Sequence, residues 1–280
     1  MLSNGTLMPL GAAFIQETTI FREFGPLAGN TMRLAYDIAP KVAGMLSRQT
    51  LDGDVRHYLR LGGTGLLATR IRGFKSLGDF PDFQYFGGNS ELRGYDFLQF
   101  AGQNVVFANA ELRFPLIEAA LTPIGVIGGI RGVFFAGIGG AWFKNQPTTN
   151  PCTGESNTFR FLNSKAENCQ VATGVKIDAD GNPVKIIDPV TGIQNFVLNY
   201  AQKPVTGFRL QDGRASYGLG LETFALGFPI HFDWSWRTLF NQGWEDVVFG
   251  CTSVASNLQC VNTAADWRKP RFAVWIGYDF

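Results

Sequence analysis

The sequence predicts an all-β fold, with antiparallel strands forming a transmembrane β-barrel of which this chain supplies about nine C-terminal strands. Three observations predict it. Polar and apolar residues alternate with a period of two along most of the chain. The alternating runs are about 9–12 residues long, the length a tilted membrane strand needs, where strands of globular proteins run about 5–6. The connections between the runs are by turns short and long, as in barrels whose periplasmic turns are tight and whose outer loops are not.

Taken in chain order, the first strand, Ala12–Phe24, is poorly patterned. In the second, Arg33, Ala35 and Asp37 oppose Met32, Leu34, Tyr36 and Ile38. Arg56, Tyr58 and Arg60 then oppose Val55, His57, Leu59 and Leu61, and Arg70 and Arg72 oppose Leu67, Thr69 and Ile71. In Asn104–Phe114, Asn109, Glu111 and Arg113 oppose Val106, Ala108, Ala110, Leu112 and Phe114. Arg214, Ser216, Gly218, Gly220 and Glu222 oppose Ala215, Tyr217, Leu219, Leu221 and Ala225. His231, Asp233, Ser235 and Arg237 oppose Ile230, Phe232, Trp234 and Trp236. The last strand is the clearest: Lys269, Arg271, Ala273, Trp275, Gly277 and Asp279 face away from Pro270, Phe272, Val274, Ile276, Tyr278 and Phe280. A period of two places such sets on opposite faces, one for lipid and one for a wet lumen. Trp, Tyr and Phe near the strand ends suit interfacial girdles.

With Phe280 placed in the periplasm, the connections walk backwards as long and short in alternation. Asn241–Arg268 is long, Leu226–Pro229 tight, Lys144–Leu210 very long, Pro115–Gly129 intermediate and Lys75–Gln103 long. Gly62–Gly65 is tight, Pro40–Gly53 longer and Phe24–Asn30 short. Residues 1–280 thus read as one outer-membrane barrel domain with long extracellular loops at 75–103, 144–210 and 241–268.

Bulk composition agrees. Charged residues make up 17% of the chain, below the roughly 25% of a soluble domain. Mean hydropathy is +0.02, far from that of a helical membrane protein. The one stretch apolar enough for a helical span, Ala119 to Phe143, contains Pro123, Arg131 and seven glycines, and reads better as two strands around a Gly-rich turn. A net charge of +1 argues against nucleic-acid binding. Met1 to Leu10 has no basic region, and the apolar Gly11–Ile15 runs into Glu17, so no export signal is visible. An odd number of strands with an open first edge cannot close in lipid. The chain is therefore expected to be about half of a larger barrel.

The four cysteines follow the loop parity. Cys152 and Cys169 lie in one predicted outer loop, Cys251 and Cys260 in another, and two local disulfides are expected in that oxidising compartment. Neither spacing matches a zinc site, and no histidine lies near either pair. No catalytic motif, cofactor motif or metal site is read. Asp233, Glu222 and the arginines read as a solvated, charge-balanced wall, and Asp178–Asn182 as a turn rather than a calcium loop.

One segment carries more identity. Phe86–Phe100 reads Phe-Gly-Gly-Asn-Ser-Glu-Leu-Arg-Gly-Tyr-Asp-Phe-Leu-Gln-Phe, followed by Asn109-Ala-Glu-Leu-Arg-Phe-Pro-Leu116. This resembles the bacterial surface antigen family, the BamA-like outer-membrane assembly and two-partner-secretion transporter superfamily. The resemblance implies a sixteen-stranded barrel at the bacterial outer membrane. It also implies a loop folded back into the lumen, with Arg93, Gly94 and Tyr95 at its tip and Glu111 as a carboxylate partner. Glu91 and Asp96 flank that tip. Arg suits the role because its planar fork binds carboxylates bidentately, and Gly94 permits a tight turn. The alternative is an ordinary Gly-rich connection whose Arg meets solvent, which the flanking matches disfavour. Val133–Trp142 resembles the family's Phe-x-Asp-x-Gly segment, but its acidic position falls on Gly137. One carboxylate is thus missing, leaving the lock at Arg93 to Glu111 alone.

The functional expectation is a non-enzymatic barrel that inserts or translocates β-rich proteins. Its partners would be outer-membrane lipids and unfolded outer-membrane or secreted proteins, with periplasmic POTRA domains or lipoproteins also implied. Tyr278 and Phe280 would form the C-terminal signal read during the barrel's own assembly. Two rival readings remain: a passive anchor or secretion pore for a fused domain, modestly favoured by Gly137, and a diffusion porin.

Overall fold

The computed structural model describes residues 5–22, 25–122, 125–187, 192, 194–225, 228–251, 253–254, 260–261 and 263–277. It divides into two units: Met1–Gln146 with Gly213–Arg237 and Pro270–Phe280, and Pro147–Asp212 with Thr238–Lys269.

The first unit is built on one sheet whose strands follow each other in chain order. They are β1 (Leu10–Glu17), β2 (Gly25–Ala39), β3 (Arg48–Leu61), β4 (Gly65–Gly78), β5 (Asn104–Thr122), β6 (Gly125–Trp142), β7 (Arg214–Ala225), β8 (Phe228–Thr238) and β9 (Arg271–Ile276). A short strand, Ile20–Arg22, also pairs with β2. Every pair with a defined register is antiparallel. No helix among the described residues is long and apolar enough to cross a membrane, which says nothing of strands.

The strands are longer than the sequence suggests at several places. In Pro115–Gly129, expected to be an intermediate connection, the described residues are strand: β5 runs 19 residues and β6 18, paired down to Thr122 and Gly125. Pro115 lacks an N–H, but the register shifts between Pro115 and Ile117, and such a bulge takes the proline without ending the ladder. The expected loop Pro40–Gly53 is likewise strand from Arg48 onward, and the expected short connection Phe24–Asn30 is strand from Gly25 onward.

Alternation along these strands runs opposite to that of a soluble sheet. The buried face carries Asp54, Arg70, Glu111, Arg113, Ser216, Glu222, His231, Asp233 and Ser235. The opposite face carries Leu34, Leu51, Ile71, Phe134, Leu219, Phe272 and Ile276, all exposed. On β7 the contrast spans one step: Leu221 is 38% exposed and its neighbour Glu222 1%. Water would reverse that order, whereas lipid outside and a polar interior require it. The buried charges are paired. Asp54 takes two bonds from Arg70, at 2.7 and 3.0 Å, and two from Arg56, at 2.9 and 3.3 Å.

The second unit consists of the two longest connections, and it has structure the sequence did not disclose. Glu167–Val175 pairs with Leu198–Val205, and Leu162–Asn163 with Arg209–Leu210. A helix, α1 (Gln242–Phe249), starts where Asn241 Oδ1 accepts from the Trp244 backbone N–H at 3.0 Å. A short second helix, α2 (Ala264–Trp267), begins at a capping box of Thr263 and Asp266. Arg209, fully buried, donates to Glu167 at 2.5 Å and lies over the Trp244 ring. Burial acts to raise the Asp246 carboxyl pKa, but bonds from Lys203 and Arg268 outweigh it and hold Asp246 below the ordinary carboxylate range. Asp178–Asn182 is a turn closed by Asp178 Oδ1, which accepts from the Asp180 and Asn182 amides.

Disulfides join Cys152 to Cys169 and Cys251 to Cys260. The first closes a loop of sequence separation 17. In the chain-entropy account, replacing both of its cysteines by serine removes about 3 kcal/mol from this unit. The expected result is a lower unfolding midpoint for this unit, read by hydrogen exchange across 167–205, with the sheet of the first unit unchanged.

Candidate functional site

The loop between β4 and β5 closes on its own stem, Gln84–Phe86 paired with Phe100–Gly102. Phe86 stacks on Phe107 of β5, with ring centroids 5.4 Å apart, so the stem packs against the buried face of the sheet. Beyond the stem the chain turns tightly, the Leu92 N–H donating to the Gly88 carbonyl at 2.9 Å. Glu91 takes the Gly87 N–H at 2.9 Å and lies 3.7 Å from Arg72, which ties the turn to β4.

Arg93 is directed into the buried face. Its Nη2 donates to Glu111 Oε1 at 2.6 Å and its Nη1 to Asp233 Oδ1 at 3.3 Å, while Nε donates to the Asn89 carbonyl. The guanidinium sits 4.5 Å from the centroid of Phe135 and 5.5 Å from that of Trp275. Arg113 binds the other oxygen of Glu111 at 2.7 Å. Two guanidiniums therefore face two carboxylates, all buried, an arrangement favourable only while each charge keeps its partner. The Tyr95 hydroxyl donates to the Ala215 carbonyl of β7 at 3.1 Å. Arg271 of β9 donates to the Gly94 carbonyl at 3.1 Å and to Asp96 at 2.8 Å.

The partner set differs from the one expected. Glu111 does not hold Arg93 alone, because Asp233 of β8 is the second carboxylate. Position 137 supplies none: a Cβ on Gly137 would lie 2.9 Å from Asn109 Oδ1 and 3.0 Å from the Leu92 side chain. Asp233 was legible as a polar-face residue, but nothing in the sequence brings it to a loop 140 positions away. Trp275 and Arg271 were missed in the same way.

The model of the Omp85 superfamily domain matches residues 22–252. The chain belongs to the Omp85 superfamily. This is a superfamily of outer-membrane proteins that act on protein substrates. No curated protein matches the chain.

Within this Omp85 domain, His57 is exposed on the apolar face of β3, its Nδ1 2.5 Å from Asn30 Oδ1. His231 is buried and lies flat on Trp275, with ring centroids 3.7 Å apart. The two histidines lie on separate strands, and the described residues hold no cluster of metal-ligating side chains. Tyr278 and Phe280 lie outside the described residues.

Gly94 has a φ of +85°, and a Cβ there would meet Ser235 Oγ at 3.0 Å and Ser235 Cβ at 3.1 Å. Gly94→Ala is expected to weaken docking of the Omp85 loop tip by about 1–2 kcal/mol, from left-handed backbone strain plus the contact. Faster proteolysis within 87–99 of the folded protein would report it, and an unchanged rate would contradict it.

Proposed function

We propose that this chain is the C-terminal part of a sixteen-stranded outer-membrane barrel that inserts or translocates β-rich proteins, with the Arg93–Tyr95 tip held inside the lumen. The connections 75–103, 144–210 and 241–268 face the cell exterior, and the chain end faces the periplasm. Substrates are unfolded outer-membrane or secreted proteins. Periplasmic POTRA domains or lipoproteins deliver them, and Tyr278 and Phe280 serve as the barrel's own assembly signal.

The observation that carries this reading is the burial of Arg93 between Glu111 and Asp233. A loop arginine held by carboxylates on two strands three apart in the sheet is what a tip folded into the interior requires, and an ordinary solvent-facing connection does not. That plug does not suit a freely diffusing porin. The absent acid at 137 modestly favoured the anchor reading, and Asp233 beside Arg93 offsets that one argument for it.

The test uses the full-length protein in its own host. Arg93→Ala at normal abundance is expected to reduce the outer-membrane or secreted protein it serves, read by quantitative proteomics of membrane and medium. Unchanged protein yields with increased uptake of small solutes would instead identify a porin.

A further inference from the structure

Asp233 stands between two structural elements that share no sequence neighbourhood. Its Oδ1 accepts from Arg93 of the loop tip at 3.3 Å, and its Oδ2 accepts from the Trp275 indole N–H of β9 at 2.7 Å. Trp275 is cross-strand partner to His231 and lies flat on it. Arg271, on the same face of β9, holds the Gly94 carbonyl and Asp96. Both large polar-face side chains of β9 therefore end on the loop tip or on the carboxylate that holds it. β9 pairs with β8 from Ile230 opposite Ile276 to Ser235 opposite Arg271. A cavity of about 550 Å³ flanks the junction, lined by Asn89, Tyr95, Asp96, Arg271, Trp275 and Gly277 among others. On that side polar bonds rather than packed side chains join tip and strand.

We propose that Asp233 is a positioning residue that makes docking of the Arg93 tip and seating of the terminal strand β9 a single event. This rests on the reading of the tip as a luminal latch. A carboxylate at position 137 of β6 could hold the tip but would not reach β9. Placing the acid on β8 joins the latch to the last hairpin of the chain. Releasing the tip then loosens β9, and loosening β9 releases the tip.

The experiment is hydrogen–deuterium exchange of the full-length protein in lipid bilayers, comparing segments 88–98 and 271–277. Asp233→Asn cannot accept from both partners, and Trp275→Phe keeps the stack on His231 but loses the indole donor. Each is expected to accelerate exchange in both segments by about tenfold or more, the scale of a lost hydrogen bond to a charged group. The double variant is expected to be no faster than Asp233→Asn alone, because the two changes break one shared bond. Should Asp233→Asn fail to fold, Trp275→Phe carries the test through its effect on 88–98, which a merely local role would not move. Acceleration confined to one segment, no acceleration, or additive effects overturn the proposal. The functional reading fails separately, if Arg93→Ala leaves protein yields intact while the two segments remain coupled.

Discussion

Arg93→Ala is expected to undock the loop tip. The substitution removes the Arg93 guanidinium from buried Asp233 Oδ1, and removes the 2.6 Å bond to Glu111 Oε1. Breaking a buried ion pair from one side costs about 3–5 kcal/mol, because the remaining charge loses its compensation. Arg113 still neutralises Glu111, so the lower end of that range applies to the docked state. The stacked position over Phe135 is lost as well, worth about 1 kcal/mol or more when desolvated. A cysteine at position 92, where Leu92 is 1% exposed, provides the readout. Its alkylation by a hydrophilic maleimide is expected to rise more than about 100-fold in the Arg93→Ala background. Arg93→Lys should fall between, since an ammonium keeps the charge but cannot span two carboxylates with a planar fork. Equal labelling in all three backgrounds would show that the tip is not held by its arginine.

The second large effect concerns the apolar face. Leu219 lies in mid-strand on β7, opposite Phe134 of β6, and both are exposed. If that exposure is to hydrocarbon, Leu219→Arg costs about 2–4 kcal/mol, the penalty for an arginine facing lipid near the bilayer centre. Phe228 is the first residue of β8, at the strand end, and Phe228→Arg there should cost only about 0–1 kcal/mol. Denaturant titration of protein refolded in lipid vesicles measures both. A change within about 0.5 kcal/mol at both positions is what an ordinary water-facing surface would give, and it would remove lipid from the account.

The two faces were legible because a strand has a period of two and this chain seldom breaks it. Leu219, Gly220, Leu221 and Glu222 are assigned correctly from alternation alone. The loop motif was legible for a different reason: Arg93 and Glu111 lie 18 residues apart and belong to one local pattern. Alternation names the face of a residue but not its partner. Glu222 and Asp233 looked equivalent along the wall, and only the curl of the tip decides that Arg93 reaches Asp233 as well as Glu111. Pro115 misled because proline reads as a breaker, while a bulge of one extra residue, Leu116, absorbs it. In 241–268 the start of α1 carried its usual signals, Asn241 followed by Glu245 in the first turn, but eight helical residues inside a long connection read as loop.

The central claim is a polar-in, apolar-out wall in a membrane, and β7 tests it most directly. Spin labels placed singly from Ser216 to Glu222, in full-length protein in bilayers, can be probed with oxygen and with a water-soluble nickel complex. The account predicts high oxygen and low nickel accessibility at positions 217, 219 and 221, with oxygen accessibility falling at 216, 218, 220 and 222. Uniform accessibility to the nickel complex along the strand, or a period other than two, would contradict it.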